Sequence, residues 1–173
     1  MKYLFLIFII TATTSQAQEV LRIQNNGTVH IQDNTELTIK GGITLENGST
    51  LTNNGTITIQ QNILAGLADW VDNTVTGYNH GTGIVIFNSA GSQSITSNNI
   101  FGTLRIDNAG LNLSSNIRSN YWYLKSGIVT TGVNAAYVLN TTSTAINADP
   151  SNTNFINAWI NGKLRRYAEL AES

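Results

Sequence analysis

Between Asn25 and Gln60 the chain repeats one short pattern, two apolar residues separated by one other residue and followed by a polar corner. The pairs are Val29/Ile31, Leu37/Ile39, Ile43/Leu45 and Ile57/Ile59, with Leu51 standing alone. Ile31, Ile39, Leu45, Leu51 and Ile59 follow one another at intervals of 8, 6, 6 and 8 residues. Residues i and i+2 of a strand share a face, so each pair points one way while His30, Thr38 or Thr44 points the other. The corners carry Asn26-Gly27, Gly41-Gly42, Asn47-Gly48 and Asn54-Gly55, residue types that reach positive φ at little steric cost. The pattern predicts short strands wound into a parallel β-solenoid, right-handed by the usual rule for crossover connections. A left-handed hexapeptide coil is disfavoured by the intervals of 8. An antiparallel sandwich would have to be built from very short strands, despite the hairpin signal of Asn-Gly.

Such coils must stack. A turn of about 20 residues loses about 1–2 kcal/mol per residue in backbone entropy, and five or six buried aliphatic side chains at about 1.5–3 kcal/mol each do not offset that alone. Neighbouring coils add inter-strand hydrogen bonds and close the interior. The unit Asn-Asn-Gly-Thr recurs at Asn25 and Asn53. That separation fits two coils of two strands or one and a third coils of three.

From Gln60 to Gly83 the pattern lapses, and Leu64, Leu67, Trp70 and Val71 suggest an amphipathic turn or a bulging loop. Alternation resumes at Ile84/Ile86 and Ile95, then at Leu104/Ile106, Leu111/Leu113, Trp122/Leu124, Ile128-Val129 and Tyr137-Val138-Leu139, with Phe87, Phe101 and Phe155 as interior fillers. No shift in composition marks a second domain. The expected organisation is a leader over residues 1–17, one solenoid domain over 18–166 and a tail over 167–173 that caps the last coil or marks a truncation. The leader assignment rests on Lys2, the apolar run Leu4 to Ile10 and the small residues of Ser15-Gln16-Ala17, which predict cleavage before Gln18 and export. No later stretch is apolar enough to span a membrane.

Composition narrows the chemistry. Only 11% of residues are charged, the net charge is -1, and Asn and Thr each outnumber all charged residues together, so nucleic acid is not an expected partner. Without cysteine there are no disulfides, thiolate ligands or cysteine nucleophile. Asp33, Glu36, Glu46, Asp107 and Asp149 are scattered, and His30 and His80 lie far apart, an unpromising supply for acid–base or triad chemistry. Asp69, Asp72 and Asn73 are the one group that could offer oxygen ligands to Ca²⁺, but they lack the loop such sites use and read as a solvated turn. No cofactor is expected. The sequons at Asn26, Asn47, Asn54, Asn112 and Asn140 arise from an Asn/Thr-rich composition and read as corners. Arg105, Arg118, Lys125, Lys163, Arg165 and Arg166 read as solvated or end-capping charges. Tyr121-Trp122-Tyr123 places two tyrosines on one side of a strand and a tryptophan on the other, and is the candidate ligand-binding group, for a sugar ring or a surface protein.

The segments Gly83 to Phe87, Gln93 to Ile95, Phe101 to Ile106, Leu124 to Gly132 and Phe155 to Arg166 resemble the β-helical N-terminal regions of large secreted surface proteins of Bacteroidota. That resemblance implies export, adhesin-like surface display and further domains of a longer parent chain, including a C-terminal sorting domain for type IX secretion. No sandwich module or sorting domain follows Arg166 in this sequence. The combined expectation is a non-enzymatic structural or adhesive stalk, with a carbohydrate-binding module and, further off, a polysaccharide lyase or hydrolase as alternatives.

Overall fold

The spaced apolar pairs become strands because each can bury one side against the coil above and below while its backbone pairs with both neighbours. In the computed structural model, which describes residues 21–60, 68–147 and 158–167, every strand pairing is parallel. The first coil is β1 (Leu21–Ile23), β2 (Thr28–Ile31) and β3 (Glu36–Ile39). The second is β4 (Ile43–Leu45), β5 (Thr50–Asn53) and β6 (Thr56–Ile59), and the third is β7 (Trp70–Asp72), β8 (Tyr78–Asn79) and β9 (Ile84–Phe87). β1, β4 and β7 stack as one face, β2, β5 and β8 as a second, and β3, β6 and β9 as a third. The fold is therefore a parallel β-solenoid with three strands per coil.

Three faces resolve the recurrence of Asn-Asn-Gly-Thr. Asn25 precedes β2 at the corner between the first and second faces, whereas Asn53 ends β5 at the corner between the second and third. The two units are one coil plus one face apart. The true counterpart of Asn26 is Gly48, as the register Thr28↔Thr50 requires, and both take positive φ, 63° and 82°. One left-handed corner is thus filled by Asn in one coil and by Gly in the next, the two residue types that tolerate it best.

From the fourth coil onward, corners are absorbed into continuous strands. β10 (Ser92–Thr96) continues the first face. β11 (Ile100–Leu113) then pairs with β9 through Thr103–Ile106 and with β10 through Gly110–Leu113, turning from the third face to the first across register shifts at Asp107. β12 (Ile117–Val138) runs round a full coil. It pairs with β11, then with β13 (Ile146–Asn147) and β14 (Ala158–Arg166).

The interior is a set of stacked columns. Ile57, Val85, Leu104 and Trp122 lie one above another on the third face with no exposed surface, and Ile59, Phe87 and Ile106 do the same beside them. Removing such a side chain from water contributes about 1.5–3 kcal/mol. Trp70, between Ile43 and Ile95 on the first face, meets Tyr78 and Phe101 edge-on at centroid distances of 5.1 Å.

Two expectations are corrected. Trp70 and Val71 belong to a regular strand of the first face, not to a helical turn or loop, because Ile43 N donates to Asp69 O and locks that strand onto the coil before it. In β9 the inward pair is Val85/Phe87, with Ile84 and Ile86 half-buried on the outer side, since the register onto Ile57 and Ile59 fixes which residues point in. Phe87 and Phe101 are fully buried as fillers. Phe155, Leu64, Leu67, Asp149, the leader over residues 1–17 and the tail beyond Tyr167 lie outside the described residues.

Candidate functional site

On the third face the strands hold outward side chains in register from coil to coil. Ile84, Thr103 and Tyr121 form one row, and Ile86, Arg105 and Tyr123 the next. Tyr121 and Tyr123 are half-buried and outward, with ring centroids 6.4 Å apart and planes tilted by 52°. Asn140 Nδ2 donates to Tyr121 Oη at 2.6 Å, which fixes that ring from the following corner. Beside them Asp107 receives Lys125 Nζ at 2.8 Å and Ser126 Oγ at 3.3 Å, with Arg105 Nη2 at 3.7 Å. The result is an outer patch of two aromatic rings, two cations and a carboxylate on a rigid sheet. Trp122, the third residue of the candidate group, is fully buried and its Nε1 donates to Tyr137 O at 3.0 Å. It anchors the strand from inside, and no part of its ring is available to a ligand.

The segment at Asp69 and Asp72 is not the solvated turn expected from the sequence, because both side chains are buried and Asp72 ends a strand. Asp69 Oδ2 accepts from Ser94 N at 2.7 Å, one coil on. Asp72 stacks on Leu45 and points into the interior. Its Oδ1 accepts from Thr74 N at 3.0 Å and Thr74 Oγ1 at 2.5 Å, and its Oδ2 accepts from Ser97 Oγ and Asn99 Nδ2, each at 2.7 Å. Asn73 is exposed. Thr74, Ser97 and Asn99 were not singled out in the sequence because they are remote from Asp72 until coils stack. The signal that finds them is the coil period, which lays Ser97-Asn98-Asn99 over Asp72-Asn73-Thr74.

Among the described residues Glu36, Asp33 and Glu46 are likewise engaged. Glu36 accepts from Thr58 Oγ1 at 2.9 Å, Asp33 from Thr82 Oγ1 at 3.3 Å, and Glu46 pairs with Arg22 at 2.5 Å. His30 Nε2 contacts Asn54 Nδ2 at 3.1 Å, and His80 Nδ1 donates to Gly81 O at 2.7 Å, so each histidine holds a corner of its own. Among the described residues no three His, Cys, Asp or Glu side chains converge on a metal-sized site, and no helix is long and apolar enough to cross a membrane.

One titratable group is strongly perturbed. Burial pushes the Tyr78 phenol well above its ordinary range, the Asn53 side chain nearby offsets part of that, and the Asp72 charge adds to it. Neither the Tyr78 hydroxyl nor Asn53 Oδ1 makes a hydrogen bond of good geometry, which fits a packing role for this ring. No protein-family model matches the chain, and neither the curated proteins nor the solved structures give a match.

Proposed function

We propose that this chain is a non-enzymatic solenoid segment of an exported, cell-surface protein, a stiff stalk whose outer faces adhere to a surface or partner. The observation that carries this reading is the third-face ladder, where stacked parallel strands hold Tyr121, Tyr123 and Arg105 in fixed rows with Lys125 bonded to Asp107 beside them. A rigid array loses little conformational entropy on contact, which is what an adhesive surface requires. The carboxylates support a structural role, since Glu36, Asp69 and Asp72 each join one coil to another. The sequence resemblance to surface proteins of Bacteroidota points the same way and implies further domains in a longer parent.

Display of the chain on beads, followed by attachment to glycan-coated and protein-coated surfaces under flow, tests the proposal. Attachment above that of uncoated beads is expected, with a several-fold loss in Tyr121→Ala/Tyr123→Ala while circular dichroism shows the fold retained. Attachment equal to that of uncoated beads on every surface would refute it. The tyrosine pair beside Asp107 and Lys125 also favours a second reading, a carbohydrate-binding module, because ring faces stack on sugars while flanking polar groups take hydroxyls. A glycan array separates the two, since a module selects one glycan and a general adhesive surface does not.

A further inference from the structure

The second face of the last coils carries a different surface. Arg118 and Tyr137, both on β12, lie one coil apart, and the bond from Leu139 N to Ser119 O sets Tyr137 beside Arg118. Tyr137 in turn pairs with Arg165 of β14, whose guanidinium sits 5.5 Å from the centre of the tyrosine ring and donates to its hydroxyl at 3.2 Å. Lys163, two residues before Arg165, shares that side of the strand. Arg118, Tyr137 and Tyr167 line an open hollow of about 320 Å³ with the amides of Asn98 and Asn116, and Tyr167 is 57% exposed at its rim.

The cations here differ from those of the third face in their partners. Arg118 donates to Asn98 O, Lys163 to Val133 O at 2.9 Å, and Arg165 to the Tyr137 hydroxyl. All three bond neutral oxygens, whereas Arg105 and Lys125 face Asp107. Among the described residues no carboxylate forms an ion pair with Arg118, Lys163 or Arg165. Within the described residues their charge has no counterion. Guanidinium groups held on a sheet receive carboxylates in a bidentate fork, and two coils of separation put Arg118 and Arg165 about 10 Å apart at the backbone.

We propose that this strip binds an acidic polysaccharide, with uronate carboxylates on Arg118 and Arg165 and a sugar ring against Tyr137 or Tyr167. The rings distinguish a sugar chain from an acidic peptide, because an aromatic face suits the C–H face of a pyranose. The sparse charge distinguishes it from nucleic acid. A duplex presents one phosphate per about 1.7 Å of axis and needs a dense basic surface, whereas a polyuronate presents one carboxylate per sugar. The strip lies on a different face from Tyr121 and Tyr123, so this inference stands or falls separately from the stalk reading.

The test is affinity electrophoresis and calorimetry of the full chain with polygalacturonate, its fully methyl-esterified form, neutral dextran and a 20-base-pair DNA duplex. Polygalacturonate should retard the protein, in a manner weakened by salt, while the esterified polymer and dextran should not. Arg118→Gln/Arg165→Gln should raise the dissociation constant at least tenfold, with the exposed control Asp33→Ala without effect. Equal binding of the esterified polymer, wild-type affinity in the Arg118→Gln/Arg165→Gln variant, or DNA binding as tight as polygalacturonate would overturn the proposal. If circular dichroism shows the arginine variant unfolded, the acid-against-ester comparison on the wild-type protein decides alone.

Discussion

Asp72 offers the sharpest test of how the interior is held. Replacing it with alanine removes the acceptors of Thr74 N, Thr74 Oγ1, Ser97 Oγ and Asn99 Nδ2 at once. The two hydroxyls can rotate toward other acceptors. Asn99 Nδ2 retains Thr74 Oγ1 at 2.9 Å, but one of its protons and the Thr74 amide are left without a partner in a buried site. Two orphaned donors at about 1–3 kcal/mol each give a loss of about 4 kcal/mol, or roughly 10 °C in melting temperature for a domain of this size. Asp72→Leu restores the apolar column begun by Ile23 and Leu45, yet leaves the same donors orphaned and should not rescue. Asp72→Asn should lose about half as much, because its amide offers one acceptor and turns a second donor toward donors. Thermal melts followed by far-ultraviolet circular dichroism read all three, with Asp33→Ala as an exposed control expected within about 0.5 kcal/mol of wild type. A melting temperature for Asp72→Ala within 2 °C of wild type (about 1 kcal/mol or less) would refute the donor accounting.

Tyr78 should remain protonated in the fold at pH values where an unfolded tyrosine ionises. Its contribution is therefore fully present below pH of about 10 and lost as pH rises beyond it, so denaturant midpoints should fall above pH of about 10 in wild type and fall less in Tyr78→Phe. At neutral pH, Tyr78→Phe should be neutral or slightly stabilising, since the hydroxyl lacks a good partner. Gly127→Ala should cost about 1–3 kcal/mol in urea unfolding, because the glycine has φ of 82° and a Cβ there would run into the Asn108 carbonyl. Trp122→Ala should cost about 3–5 kcal/mol, while Tyr123→Ala on the outer side should cost under about 1 kcal/mol, and paired melts would show both.

The sequence was most legible where its apolar pairs were isolated. Leu37/Ile39 and Ile57/Ile59 can point only one way as pairs, and they stack directly on each other. At Ile84 to Phe87 four apolar residues run together, so an alternating pattern cannot choose a side, and the choice falls to pairing with a strand far away in sequence. Trp70 was obscured because its spacing from Leu64 and Leu67 mimics a helical face, a local signal that loses to the long-range ladder between Ile43 and Ile95. The number of strands per coil was hidden because Asn-Asn-Gly-Thr occupies two non-equivalent corners. In the candidate site, the opposed directions of Tyr121/Tyr123 and Trp122 followed from strand geometry alone. The Arg118–Tyr137–Arg165 column did not, because it joins residues that become neighbours only when the coil period is known.

Both outward surfaces depend on one strand. β12 enters on the second face with Arg118, carries Tyr121 and Tyr123 along the third, pairs on the first through Val129, and returns to the second at Tyr137. The earlier coils reach the same three faces through separate short strands with positive-φ corners at Asn26, Asn34 and Gly48, where the ladder is interrupted. β12 makes its own corners inside one strand, with Gly127 and Gly132 at positive φ and a register shift between Thr130 and Ala135, so the backbone of one face runs into the next without a loop. Preorganisation of that kind reduces what a partner must spend on ordering the surface it meets. The placement of both candidate surfaces on the most continuous part of the sheet follows the same physical logic as the fold. Rows of side chains can recognise an extended partner only if the backbone beneath them does not move independently.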